Sequence, residues 1–276
     1  MEPYRFTAGR VPLLVSMPHV GTYVPPEVEA RLDDGARGLP DTDWHVDRLY
    51  DFLEDLGASV LRATHSRYVI DLNRAGDGKP LYPGASETGL CPVTTFADQP
   101  IYRPGQAPEP DEIAERRETI WRPYHDCLAR ELDGLKARHG IALLWDAHSI
   151  RSEVPRFFDG RLPDLNFGTG GGVSAAPPLI ERLMAIAQDS TTYSHVLDGR
   201  FKGGYITRAN GAPSAGIHAV QLELSQITYM DEDPPFGFRE DLATGIRPLL
   251  RQLLEAALAW AETSSGPPDR AASSSS

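Results

Sequence analysis

Two hydrophobic periods alternate along the chain, and together they predict its elements. Ile141 to Trp145 is continuously apolar, as in a short strand buried on both faces, and then breaks into Asp146, His148 and Ser149. Leu13–Met17 has the same design and ends in Pro18-His19-Val20-Gly21, with Pro12 tolerable only at a strand's start. Further strands are predicted at Ser59–Ala63, Tyr68–Leu72 and 217–224, the last with Glu223 inside an apolar run. Helical spacing marks 42–56, 111–138, 178–188 and 239–262. Asp41 or Thr42 suits the cap of the first and Gly57 its end, while Pro123 should break or kink the second.

Between these elements, 75–110 and 151–176 are irregular, and 196–208 reads as a strand or hairpin around Gly203-Gly204. Loops of that length are usually functional or mobile. No repeat or compositional boundary divides the alternating strands and helices, so one α/β domain over 1–262 is expected. Beyond it, a Ser- and Pro-rich tail over 263–276 is expected to be disordered.

Composition narrows the function more than the fold. Hydrophobic residues at 41% and charged ones at 24% are ordinary for a globular chain of 276 residues. A net charge of −12 argues against a nucleic-acid partner, although arginines or a metal can still gather locally around an anion. Cys91 and Cys127 make no disulfide framework, and neither a leader nor an apolar run of membrane-spanning length is apparent. These features predict a cytoplasmic protein without a membrane partner, and leave its oligomeric state open.

Chemistry gathers where polar residues meet buried strands, as at the carboxyl ends of strands in open α/β sheets. His19 and His148 each lie at such an end, and Asp146 stands two residues from His148 as a possible partner for its imidazole. His45, His65, His125, His139, His195 and His218 take the commoner reading of satisfied polar residues. A catalytic zinc site needs a third protein ligand. Asp41, Asp43 and Asp47 crowd the start of the first predicted helix, where carboxylates also serve as caps; Asp43 is favoured as ligand, with Asp41 as cap. Glu223 either pairs with an arginine or acts as a general base. Arg67, Arg74 and Arg208 each flank a strand-like segment, and converging arginines would indicate an anionic substrate. The glycines of 168–172 lack a Walker lysine and fit a close-packed or mobile loop better than a phosphate loop. There is no Gly-x-Ser-x-Gly elbow and no His-Glu-x-x-His.

Several segments carry a resemblance. They are Ser16-Met17-Pro18-His19-Val20-Gly21, Asp41-Thr42-Asp43-Trp44, the run from Ser66 to Arg74, and Asp146-Ala147-His148-Ser149. Phe201 to Arg208 and Gln221-Leu222-Glu223-Leu224 continue it, with further similarity at Thr88 to Pro92 and Asn166 to Thr169. Together, over about residues 5–260, they resemble the N-formylglutamate amidohydrolases (N-formylglutamate deformylases) of bacterial histidine degradation. That family is related to zinc carboxypeptidases and aspartoacylases. The resemblance implies a zinc-carboxypeptidase-like, three-layer α/β/α fold with a mostly mixed sheet. It also implies hydrolysis of N-formyl-L-glutamate, a small dicarboxylate, to formate and L-glutamate.

The wider superfamily's His-x-x-Glu ligand pair is absent here, since Val20-Gly21-Thr22 follows His19, so the second ligand must come from elsewhere. Glu223 matches the superfamily's catalytic glutamate. Arg67, Asn73 and Arg74 resemble the arginine and Asn-Arg pair that bind substrate in aspartoacylases, at a spacing one residue shorter. The expectation is therefore one divalent ion, Zn²⁺ in first place, on His19, Asp43 and His148. Glu223 would be the base, Arg67 would help stabilise the oxyanion, and Asn73, Arg74 and Arg208 would bind the carboxylates. Hydrolysis of another N-acylated acidic amino acid and non-catalytic dicarboxylate binding are the alternatives.

Overall fold

The computed structural model of the chain describes residues 1–79 and 87–264. Its strands are β1 (Tyr4–Thr7), β2 (Leu13–Met17), β3 (Ser59–Ala63), β4 (Ala142–Ile150), β5 (Leu165–Gly168), β6 (His195–Leu197) and β7 (Ile217–Ser225). They form one seven-stranded sheet in the order β1-β3-β2-β4-β7-β5-β6. The four strands β3, β2, β4 and β7 run parallel, while β1 and β5 pair antiparallel with β3 and β7. Around it lie α1 (Pro26–Glu29), α2 (Val46–Leu49), α3 (Leu53–Leu56), α4 (Pro110–Arg116), α5 (Arg122–His139), α6 (Pro177–Asp189), α7 (Tyr205–Asn210) and α8 (Glu240–Ser264).

Side chains alternate across a strand, so each strand feeds two cores. Leu13, Val15, Leu143, Trp145, Val220 and Leu222 face one way and pack with α2, α3, α6 and α8. Leu14, Ala142, Leu144 and Ala219 face the other, against Tyr124, Leu128, Leu132 and Leu135 of α5. This is the expected α/β/α layering around a mixed sheet. Each large side chain buried this way contributes on the order of 1.5–3 kcal/mol. Among the described residues, no helix is long and apolar enough to cross a membrane.

The central strand outruns its apolar stretch. β4 continues to Ile150 because β7 stays in register with it as far as Ile150↔Ser225. Its pairing with β2 stops at Ser16↔Asp146, where the chain leaves the sheet towards His19. From there β4 is paired on one side only, and a crevice opens beside it.

Several expected elements differ. Tyr68–Leu72 is not a strand: Ser66 accepts the N–H groups of Tyr68 (on Oγ) and Val69 (on its carbonyl), and Asp71 N–H donates to Leu90. A buried apolar turn and a buried strand look alike by periodicity. The helix expected over 42–56 is split, since His45 has φ 61 and Tyr50 has φ −92 and ψ 37. The long helix interrupts itself as a π turn at Arg117–Trp121, just before Pro123, whose missing N–H the wider turn accommodates. β5 lies inside the stretch expected to be irregular, 151–176. Of the hairpin expected over 196–208, only β6 is strand, and Tyr205–Asn210 is helical. Thr263 and Ser264 end α8, and the rest of the expected tail, 265–276, lies outside the described residues.

Candidate metal centre and active site

The crevice beside β4 gathers three side chains from separate elements. His19 follows β2, His148 stands in β4, and Asp43 precedes α2 with its N–H bonded to the His19 carbonyl at 3.1 Å. One ligand atom from each lies within 4.8 Å of the others, and all three residues are buried. Asp43 Oδ2 is 3.0 Å from His148 Nδ1 and 3.6 Å from His19 Nδ1. The opposite ring nitrogens face carboxylates: His19 Nε2 is 2.7 Å from Asp71 Oδ1, and His148 Nε2 is 3.2 Å from Asp146 Oδ1. On His19, a proton held on Nε2 leaves Nδ1 with its lone pair turned inward, as a metal ligand needs.

Buried charge at this corner is unbalanced. Among the described residues, Asp43 Oδ1 and Asp146 Oδ1 are buried without a hydrogen-bond partner, which is costly for carboxylate oxygens. Burial would raise the Asp43 carboxyl, but His19 and His148 outweigh it and hold it well below its usual range. For His148 burial opposes protonation, yet Asp146 and Asp43 overcome it and push its pKa well up. The cluster draws in positive charge, and a divalent cation would supply that charge in place of a proton. The donor set of two imidazoles and a carboxylate therefore fits a metal.

Glu223 enters from β7 in register with His148, so both point to the same face. Burial pushes its carboxyl up to about 8, with His148 and Arg67 pulling the other way. The bland expectation of an arginine salt bridge is not met among the described residues; its close partner is Gln221 Nε2, 3.4 Å from Oε2. Both line a cavity of about 650 Å³, partly open to solvent, together with His19 and His148.

Arg67, Asn73 and Arg74 also line this cavity. Arg67 Nη2 donates to Asp71 Oδ2 at 2.6 Å, and Nη1 lies 3.4 Å from His19 Nδ1. Asn73 Nδ2 is 3.0 Å from His148 Nε2, while its Oδ1 accepts the N–H of Ile206 at the start of α7. The turn before α7 presses on Asn73: a Cβ at Gly204 would stand 2.2 Å from Asn73 Nδ2, so only glycine fits. Arg74 donates to Thr88 and to the Asn73 carbonyl, contacts that do not exhaust its donors. Arg208 is not in the cavity wall; its Nε donates to the Gly203 carbonyl at 2.8 Å. Asp41 is not a helix cap, because it accepts from Tyr68 Oη–H and Phe96 N–H, and Asp47 is exposed.

Sequence reasoning passed over Asp71, Gln221 and Arg200. Asp71 carries the same signal as Glu223, a carboxylate in an apolar run, but it sits in a buried turn and not in a strand. Its carboxyl is held well below the usual range despite burial, by Arg67, His19 and Arg74. Arg200 lies in an irregular segment with no local signal, yet lines the cavity.

Comparison with known proteins identifies the family. Residues 11–230 match the sequence pattern of the N-formylglutamate amidohydrolase family. The chain is 58% identical over 259 residues to the N-formylglutamate deformylase of Pseudomonas aeruginosa, covering 94% of this chain and 97% of that protein. It is 57% identical over 255 residues to that of Pseudomonas putida, covering 92% and 95%. The crystal structure of N-formylglutamate amidohydrolase from Ralstonia eutropha JMP134 superposes with a TM-score of 0.79 at 25% identity, covering 95% and 98% of the two chains. A gene product of Agrobacterium tumefaciens shares the fold, with a TM-score of 0.71 at 18% identity over 95% and 97%. By its sequence pattern and these relatives, the chain belongs to the N-formylglutamate amidohydrolase family.

Proposed function

We propose that the chain is a single-domain enzyme that hydrolyses N-formyl-L-glutamate to formate and L-glutamate, in the setting of histidine degradation, with one Zn²⁺ held by His19, Asp43 and His148. The observation that carries the reading is the convergence of these three donors, two of which, His19 and His148, share a cavity wall with buried Glu223. When bound, the ion polarises the formyl oxygen, acidifies water and adds positive charge that favours ionised Glu223. Glu223 takes a proton from the water that attacks the formyl carbon. It then delivers that proton to the amide nitrogen as the C–N bond breaks, releasing formate and the amine of glutamate. Arg67, oriented by Asp71, stabilises the negative charge that develops on the formyl oxygen. Asn73 and Arg74 hold the α-carboxylate, and Arg208 assists indirectly by holding the Gly203 carbonyl.

Formate release from N-formyl-L-glutamate by zinc-replete protein tests the reading. Chelation should abolish release and Zn²⁺ should restore it. Full activity in exhaustively metal-free protein would remove the metal, and no release from replete protein would remove the reaction.

A further inference from the structure

We propose that Arg200 reads the side-chain carboxylate of the substrate and so sets the preference for an acidic N-formyl amino acid. This rests on the proposed hydrolysis and adds the residue that selects among N-formyl amino acids. The substrate is a dianion, so two carboxylates must be met inside a protein of net charge −12. Long-range attraction is unavailable, and recognition has to come from short-range contacts in the pocket.

Three arginines line the cavity among the described residues: Arg67, Arg74 and Arg200. Arg67 is joined to Asp71 and lies against His19, which ties its charge to the reacting end. Arg74 belongs to the same segment, and its contacts with Thr88 and Asn73 set it beside Asn73. Both therefore serve one end of the cavity. Arg200 enters from a different part of the chain, the segment after β6, and supplies the remaining cation of the wall.

The setting of Arg200 suits a reader of carboxylates. Its Nε donates to the Phe157 carbonyl at 2.6 Å, and its guanidinium carbon lies 5.5 Å from the ring centroids of both Phe157 and Phe201. Aromatic contact engages the face of a guanidinium, whereas two-point recognition of a carboxylate uses its edge, so the two are compatible. The rings also hold the side chain in place before substrate arrives, which lowers the entropy lost on binding. Phe157 and Phe201 line the same cavity and give an apolar wall for the methylenes leading to that carboxylate.

The test compares N-formyl-L-glutamate with N-formyl-L-glutamine, which is similar in size but neutral at the side chain. Wild type should prefer the glutamate compound strongly in kcat/KM. Arg200→Met should lower kcat/KM for it by about 10²-fold, mostly through KM, and leave the glutamine compound within about threefold, with metal content unchanged. Arg200→Lys keeps the charge without the fork and should retain part of the preference, which keeps the test informative if Arg200→Met fails to fold. Equal losses on both substrates, or an unchanged preference in Arg200→Met or Arg200→Lys, would overturn the assignment. Loss of the preference in Arg208→Met with its retention in Arg200→Met would move the role to Arg208. Absence of formate release from either substrate by wild type would instead overturn the hydrolysis itself.

Discussion

The two faces of the central sheet are built from the same strands and do opposite work. On the face towards α6 and α8, Leu13, Val15 and Met17 of β2, Leu143, Trp145 and Ala147 of β4, and Val220, Leu222 and Leu224 of β7 form a continuous apolar layer. On the face towards α5 the same strands change character halfway. Leu14 gives way to Ser16, Leu144 to Asp146 and His148, and Ala219 to Gln221 and Glu223. Parallel register aligns these changes, with Leu144↔Ala219, Asp146↔Gln221 and His148↔Glu223 abreast. A period of two thus lets one strand hold the core together with alternate residues and carry chemistry with those between.

If the faces are separable, substitutions on each should fail differently. His148→Ala should lose the metal and at least ~10³-fold in activity while still melting cooperatively. A His148→Ala protein that retains both metal and turnover would erase the distinction. Trp145→Ala, on the opposite face of the same strand, should destabilise by about 3–5 kcal/mol in urea unfolding, since it empties a core site and strands the Tyr50 hydroxyl that accepts its N–H. Its folded fraction should keep a normal metal content; a selective metal loss there would show that the faces are coupled. Glu223→Gln should retain metal and fold but lose at least ~10²-fold in kcat, because the amide cannot accept the water's proton. Retained kcat would return Glu223 to a structural role.

The smallest effect concerns pH. His125, on the α5 side, donates from Nε2 to the Leu72 carbonyl, and burial pushes its pKa down to about 4 from 6.5. Between those values the unfolded chain binds a proton that the folded chain refuses. Its contribution to stability is therefore complete above pH 6.5 and falls as the pH drops through the window, by about 2–3 kcal/mol at pH 4.5. The stability gap between wild type and His125→Phe should narrow by that amount from pH 7 to 4.5. A gap that does not change with pH would mean the imidazole titrates normally.

Much of this was legible in the sequence because it is local. β2, β3, α6 and the body of α8 follow from apolar periodicity, and His19, His148 and Glu223 were marked by polar residues interrupting buried runs. What periodicity could not show depends on contacts between distant segments. Asp41 appeared to be a cap because helix caps are local, but its partners, Tyr68 and Phe96, come from elsewhere in the chain. The helix at Tyr205–Asn210 was hidden because Asn73 and Gln221 satisfy the N–H groups at its start. Arg200 acquires meaning only once Phe157 and Phe201 stand beside it.

The π turn at Arg117–Trp121 has a consequence for how the chain tolerates changes of length. Such a turn holds one residue more than a regular helix would place there. Just before it, Arg116 donates to the Val69 carbonyl; at its last residue and beyond, Trp121 and His125 donate to the carbonyls of Arg74 and Leu72. The helix therefore grips the main chain around Asp71 and Asn73 from both sides of the extra residue. Deleting one residue from the turn would restore an even helix and rotate α4 against α5 by about 100°. Arg116 and Trp121 could then no longer reach their carbonyls together. A deletion that looks harmless, in a helix some distance from the metal ligands, would act as a phase error at the site.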